Sequence, residues 1–143
     1  MVDAGPAVVF ALVGAMACVA AVDTIMVGRR SASWPHVPGI VRRAWTPLIG
    51  RLFFGYAGPW LIYEYAVGST VYEGSRVRYG RYLNPNAARR ARYRYEVGAQ
   101  MPVYYDPKSP TRAVLEPGAP ADVWAMLSIG VIMLGAGLYF GLY

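Results

Sequence analysis

The chain has 143 residues, of which 56% are hydrophobic and only 15% charged, and its formal net charge is +6. Soluble domains carry about 25% charged residues, so this composition is atypical of a soluble enzyme. A single cysteine excludes an internal disulfide and a cluster of cysteine metal ligands, and a single histidine excludes a multi-histidine site. The composition therefore predicts a small membrane protein with one basic polar region.

The first candidate membrane span lies near the start of the chain. Residues 4–22 carry no charge, and a helix over residues 5–27 would cross about 30 Å of hydrocarbon at about 1.5 Å per residue. Asp23 would lie in its last turns, close to the lipid headgroups. A cleaved signal peptide is disfavoured because no basic residue precedes the run. We therefore predict a transmembrane helix over residues 5–27.

A second span is predicted over residues 122–143. The 21 residues after Asp122 carry no charge, and a soluble core helix of this length and apolarity would be unusual. Trp124 lies near one end and Tyr139 and Tyr143 near the other, where aromatic side chains typically meet the membrane interface.

Both predicted spans contain small residues at a spacing of four. The pairs are Gly14 with Cys18, Ala17 with Ala21, and Gly137 with Gly141. Such pairs allow two helix backbones to approach closely. We expect Gly14, Cys18, Gly137 and Gly141 to pack against another helix, within the chain or in a partner; a merely glycine- and alanine-rich span is the alternative.

The basic residues predict the orientation. All 14 lie within residues 29–112, and Arg29 and Arg30 follow the first span directly. By the positive-inside rule the middle segment would face the cytoplasm and both termini the outer side. We therefore expect a two-span protein of the bacterial inner (cytoplasmic) membrane.

Residues 31–118 read as a β-rich domain. Alternating apolar residues and turn signals predict strands over residues 38–45, 60–67, 70–79, 101–105 and 112–116, with a short helix over residues 87–92. Leu61, Tyr63, Tyr65 and Val67 share one face of the second strand, and tyrosines there suit the interior of a small β core. Residues 46–59 are apolar but too short and glycine-broken to span, so they indicate a membrane-surface or re-entrant segment. The predicted fold class is membrane α+β: two transmembrane helices bracketing a small antiparallel β domain, either a sandwich or a partly open barrel.

The motifs of this middle segment resemble those of the DUF3592 family of bacterial membrane-associated proteins. The resemblance covers about residues 33–118 and rests on WP and PGIV at residues 34–41, YEYAVG and VYEGS at 63–75, YEVG and YYDP at 95–107, and AVLEPG at 113–118. It implies a β-rich segment bracketed by hydrophobic helices and no assigned activity. The chain departs from the family pattern in its hydrophobic residues 46–59 and its arginine-rich residues 89–94.

The densest cluster of charge comprises Arg89, Arg90, Arg92 and Arg94. Together with Arg29 and Arg30, these arginines are our candidates for docking to anionic lipids or to an acidic partner, and the sequence leaves both open. Nucleic-acid binding, with tyrosines stacking on bases, is disfavoured because the membrane already tethers the domain.

Catalysis is poorly supported by the sequence. The carboxylates of the middle segment, Glu64, Glu73, Glu96, Asp106 and Glu116, lie on separate elements, and no spacing brings two together for acid–base chemistry. His36 falls in a predicted loop without a partner, which disfavours a role as a base or as an axial haem ligand. We expect no enzyme activity, no cofactor, no metal site and no small-molecule substrate.

These patterns predict surfaces that contact other molecules and no catalytic site. The expected function is that of a non-catalytic accessory or scaffolding subunit, which contacts other integral membrane subunits of a larger complex and anionic lipids. A stand-alone homo-oligomer acting as a channel, sensor or envelope-stress factor is the alternative. Copurification with other subunits in mild detergent would distinguish the two.

Overall fold

The computed structural model of the chain describes residues 4–45, 60–80, 82 and 85–142. The predicted re-entrant segment, residues 46–59, lies outside the described residues, as does Tyr143. The described elements are, in chain order, α1 (Ala4–Ser31), β1 (His36–Trp45), β2 (Trp60–Val67), β3 (Thr70–Gly74), α2 (Pro85–Arg94), β4 (Gln100–Asp106), β5 (Ser109–Val114) and α3 (Ala121–Leu142).

Helices α1 and α3 pack side by side as an antiparallel hairpin. Gly137, near the end of α3, lies against Ala7 and Ala11 at the start of α1, and Gly28, near the end of α1, lies against Ala119 just before α3. Both helices are long and apolar enough to cross a membrane, with mean hydropathies of 2.3 and 1.9. The helix α1 is longer than the predicted window of residues 5–27, because its last turn continues through Arg29, Arg30 and Ser31.

The two helix backbones touch along a seam of small residues. A Cβ atom added to Gly14 would lie 2.5 Å from the backbone nitrogen of Leu134, and one added to Gly137 would lie 2.5 Å from that of Ala11. Real Cβ atoms do not approach other atoms this closely. Glycine at both positions therefore sets the distance between the helices.

The five strands form one antiparallel sheet in the order β3-β2-β1-β4-β5. Its two edges curl towards each other, and the chain that follows β3 runs beside the chain that follows β5. Both Leu115 and Glu116 donate backbone hydrogen bonds to the carbonyl oxygen of Val77, at 2.9 and 2.7 Å. The result is a nearly closed barrel, which confirms the predicted α+β architecture of two apolar helices around an antiparallel β domain.

The barrel interior is filled by the predicted inward face of β2. Leu61, Tyr63 and Tyr65 alternate along this strand and are buried, as alternation requires. Val41 and Val103, from β1 and β4, complete the centre of this core and are fully buried. The hydroxyl of Tyr63 donates to the carbonyl oxygens of Arg76 at 2.9 Å and Ala113 at 3.0 Å, which joins the two edges of the sheet.

Three predicted boundaries within the β domain were wrong. The strand over residues 70–79 ends at Gly74, where a Cβ atom would lie 2.5 Å from the ring of Tyr63, and the chain then turns towards Leu115. The strand over residues 112–116 is instead Ser109–Val114, since Leu115 and Glu116 leave β4 to pair with Val77. The short helix extends over Pro85–Arg94, beyond residues 87–92.

Ser31 attaches the barrel to the hairpin. Its side chain is fully buried, and its hydroxyl donates to the carbonyl oxygen of Gly28 at 2.6 Å while accepting from the backbone N–H of Gly118 at 3.0 Å. The last turn of α1 is thereby bonded to the segment that leads into α3. The barrel begins and ends at the same end of the hairpin.

We predict that Gly137→Ala destabilises the hairpin, because the new methyl group would meet the backbone of Ala11. Overpacking of this kind costs about 1–3 kcal/mol. Gly135→Ala is the matched control, since a Cβ atom there meets nothing within 4 Å. Thermal unfolding of the full chain in mild detergent should give a lower midpoint for Gly137→Ala only. Equal midpoints for the two variants would contradict close packing of the two helices at Gly137.

We also predict that Tyr63→Phe destabilises the barrel by about 1–3 kcal/mol, because two buried carbonyl oxygens lose their donor. Tyr104→Phe is the control, since the Tyr104 hydroxyl makes no hydrogen bond to a described residue. Denaturant unfolding followed by near-UV circular dichroism checks the comparison. An equal effect of the two substitutions would show that the Tyr63 hydroxyl does not hold the sheet edges.

Candidate functional site

Helix α2 is held on the barrel by its small residues. Ala88 and Ala91 are buried, and so is Tyr95 directly after the helix. Their spacing of three and four places them on one side of the helix. A ten-residue helix with four arginines and no acidic residue is marginal on its own, so this packing is what stabilises it. The opposite side of α2 is left facing solvent.

Three side chains define the exposed basic face of α2: Arg89, Arg90 and Tyr93. Both arginines are exposed, and neither has a carboxylate within ion-pair distance among the described residues. To the described residues, Arg90 makes one long hydrogen bond, of 3.4 Å, to the carbonyl oxygen of Asn86. Tyr93 lies one turn further on and is 74% exposed. The face thus combines two uncompensated cations with an aromatic ring.

The other two arginines of the predicted cluster differ from this pair. Arg94 is exposed but lies 3.5 Å from a carboxylate oxygen of Glu116. Arg92 is half-buried, and its Nε atom is buried without a hydrogen-bond partner in the described part of the chain. The four arginines therefore do not form one uniform patch.

Arg29 and Arg30 lie on another element, in the last turn of α1. Their charges there are favourable because the carboxyl end of a helix carries partial negative charge. The guanidinium of Arg29 lies over the ring of Trp124 on α3, 5.6 Å from its centroid. This cation–π contact places Arg29 and the aromatic residue at the same level of the hairpin.

Glu116 lies at the centre of a polar cluster that sequence reasoning missed. Its two carboxylate oxygens accept hydrogen bonds from the hydroxyl groups of Tyr82 at 3.1 Å and Tyr95 at 2.8 Å. Arg78 lies 4.0 Å from the same carboxylate and stacks over the ring of Tyr82. The cluster joins the segment before α2, the end of α2 and the chain after β5. Only the tertiary fold brings these distant residues together.

The tyrosines of this cluster resist ionisation. Burial, followed by the hydrogen bond and negative charge of Glu116, raises the pKa of Tyr95 well above its ordinary value of 10.0. Burial and the charge of Glu116 likewise raise the pKa of Tyr82. Burial raises the pKa of Tyr63 as well. Neutral, hydrogen-bonded tyrosines are structural, and none has the lowered pKa that would suit a general base at neutral pH.

The predicted helix-packing residues lie at the contact between α1 and α3. Gly14 faces α3, Gly137 faces α1, and a Cβ atom on Gly141 would make an ordinary 3.9 Å contact with Ala7. The sulfur of Cys18 faces Gly130, which the sequence pattern did not single out. The contact lies within the chain, where Gly14 and Gly137 are buried, Cys18 is half-buried and Gly141 is exposed.

The remaining polar candidates are spread over the barrel surface. Glu64 lies directly opposite Glu73 in the β2–β3 register, a pairing that sequence spacing did not reveal, and it accepts from Nε of Arg42 at 2.7 Å. His36 is the exposed first residue of β1, next to the ring of Tyr104, and not in a loop as predicted. Within the described ranges, no three His, Cys, Asp or Glu side chains cluster so as to hold a metal.

Comparison with known proteins gives one finding. The model of the DUF3592 family, described as a domain of unknown function, matches residues 37–120, which is more than half of the chain. No curated protein and no solved structure matches this chain.

The raised tyrosine pKa values predict sensitivity to alkali. Above pH 10 the unfolded chain ionises its tyrosines while the folded chain keeps Tyr63, Tyr82 and Tyr95 protonated, so stability is complete below about pH 10 and falls as pH rises further. Tyr95→Phe should make this decline shallower, whereas Tyr93→Phe, on the exposed face, should leave it unchanged. Unfolding free energies measured across this pH range test the prediction, and identical slopes for all three chains would refute it.

Proposed function

Because the chain belongs to the DUF3592 family, whose function is unknown, we propose that it is a non-catalytic accessory subunit of a larger protein complex in the bacterial inner membrane. In this proposal the α1–α3 hairpin spans the bilayer and the barrel lies on the cytoplasmic side. The partners are other integral membrane subunits. The exposed basic face of α2 would bind an acidic surface of one of them.

The observation that carries the proposal is the exposed basic face itself. Arg89 and Arg90 lie on a helix fixed by Ala88 and Ala91, so little ordering would be needed on binding. Arginine and tyrosine are enriched at the centres of protein interfaces. Tyr93, one turn beyond Arg89 and Arg90, favours an acidic protein surface over lipid headgroups, because a solvent-exposed ring gains most from contact with another protein.

The hairpin supports the same role. Its small residues are used in the contact between α1 and α3, so large apolar side chains point outward. Met16, Val19 and Ile132 are each at least 70% exposed. In a bilayer, these faces would be covered by lipid tails or by helices of neighbouring subunits.

The distribution of charge supports the proposed orientation. Residues 29–118 have 14 basic and five acidic side chains, a formal charge of about +9, and the rest of the chain has only three aspartates. A segment this basic, with Arg29 and Arg30 next to the hairpin, is typical of the cytoplasmic side.

We predict that Arg89→Glu with Arg90→Glu releases the chain from its complex. The native mass of the complex, isolated in mild detergent through a tag on this chain, should fall to that of the free chain. Arg43→Glu with Lys108→Glu is the matched control, because it makes the same change in charge at exposed residues without an ion pair among the described ones. The control should keep the complex.

A photo-crosslinking residue in place of Tyr93 sharpens the experiment. It should attach to an acidic segment of one partner, and the same partner should be lost in the Arg89→Glu, Arg90→Glu variant. A wild-type mass that corresponds to copies of this chain alone would overturn the proposal in favour of a homo-oligomer.

A further inference from the structure

A cleft with a volume of 930 Å³ lies where the barrel meets the α1–α3 hairpin. It is separate from the exposed basic face of α2. Its barrel side carries three arginines, Arg76, Arg78 and Arg112, whereas its hairpin side combines apolar residues of α1 and α3 with Thr24 and two aspartates. A cavity that offers both cations and apolar side chains suits an amphiphile.

Two of the three arginines are available to a ligand. Arg76 and Arg112 are exposed, and within the described ranges no carboxylate lies at ion-pair distance from either. Arg76 stacks over the ring of Tyr79, 5.0 Å from its centroid, which restrains its side chain. Arg78 is already engaged, because it lies 4.0 Å from Glu116 and 3.8 Å from Asp122.

The barrel core fixes these two arginines relative to each other. Arg76 follows β3 and Arg112 lies on β5, so they belong to opposite edges of the sheet. The hydroxyl of Tyr63 donates both to the carbonyl oxygen of Arg76 and to that of Ala113, the residue next to Arg112. The backbone segments that carry the two arginines are therefore held together by a buried side chain before any ligand binds.

The apolar wall places the cleft at a defined level of the hairpin. It includes Val27 of α1 and Val123 and Met126 of α3. Trp124 lies between the last two in sequence and stacks with Arg29. Tryptophan and arginine at one level are typical of the membrane interface. In the proposed bilayer placement the cleft lies at the depth of the lipid headgroups.

Two carboxylates also line the cleft and set its net charge. Asp122 lies near Arg78, and Asp23 is exposed on α1. Three arginines and two aspartates leave one positive charge in excess. That excess complements a headgroup carrying one negative charge.

We propose that this cleft binds the headgroup of an anionic phospholipid of the phosphatidylglycerol class. Arg76 and Arg112 hold the phosphodiester, and an acyl chain lies along Val27 and Met126. The inference rests on the proposed placement of the hairpin in a bilayer but does not depend on the accessory role. The two arginines that hold the headgroup lie outside the arginine-rich segment of residues 89–94.

The test uses the full chain in mild detergent with equal amounts of phosphatidylglycerol and phosphatidylcholine. Native mass spectrometry should show one phosphatidylglycerol retained in preference to phosphatidylcholine. Arg76→Gln with Arg112→Gln should lower the affinity for phosphatidylglycerol roughly tenfold or more, because two basic residues near an anionic headgroup together strengthen binding by about that factor. Arg43→Gln with Lys108→Gln, at two exposed residues outside the cleft, is the control and should leave that affinity unchanged.

Asp23→Asn separates this headgroup from one with an amine. Removing the carboxylate should tighten binding of phosphatidylglycerol, whereas weaker binding, together with a preference for phosphatidylethanolamine, would overturn the assignment. Equal losses of affinity in the cleft variant and in the control variant would show that only the overall positive charge matters, and would also overturn the assignment. Failure of the wild-type chain to insert into vesicles would refute the bilayer placement itself, apart from any lipid preference.

Discussion

The contact between the backbones of α1 and α3 is the constraint on which the other features of the structure depend. Because Gly14 and Gly137 bring the helices together, the chain must enter and leave the barrel at neighbouring points. Ser31 joins those points through Gly28 and Gly118. The strand order is compatible with this closure: β1, which leaves the hairpin, lies centrally, and β5, which leads back to it, lies at one edge of the sheet.

The small barrel is stabilised mainly by buried tyrosines. A domain of this size has little apolar volume to bury, and each tyrosine fills space with its ring while its hydroxyl pairs with a distant part of the chain. Tyr63 bonds to the two edges of the sheet, and Tyr95 bonds to Glu116. The same residues therefore supply both the core and the connections that close it. This explains how residues 75–77, which belong to no strand, follow a fixed path.

The sequence predicted the elements whose signal is local. An uncharged run of about 20 residues predicts an apolar helix, and alternation predicted the buried face of β2 from Leu61 to Tyr65. The errors arose where a distant residue decides the outcome. β3 ends at Gly74, where the ring of Tyr63 leaves no space for a side chain, and the chain then turns so that Val77 pairs with Leu115 and Glu116. Glu116 looked like an exposed strand residue because its partners, Tyr82 and Tyr95, are 34 and 21 residues away.

The arginine cluster shows the same limit for the candidate site. Its local density predicted a single docking patch, but helical geometry turns Arg89 and Arg90 outward and directs Arg94 towards Glu116. In a chain with this many arginines, the presence or absence of a counterion indicates which arginines can bind a ligand better than their local density in the sequence does. Arg78 and Arg94 stabilise the fold because carboxylates lie beside them. Arg76, Arg89, Arg90 and Arg112 have none among the described residues, and a cation held in place without a counterion retains its charge for a ligand.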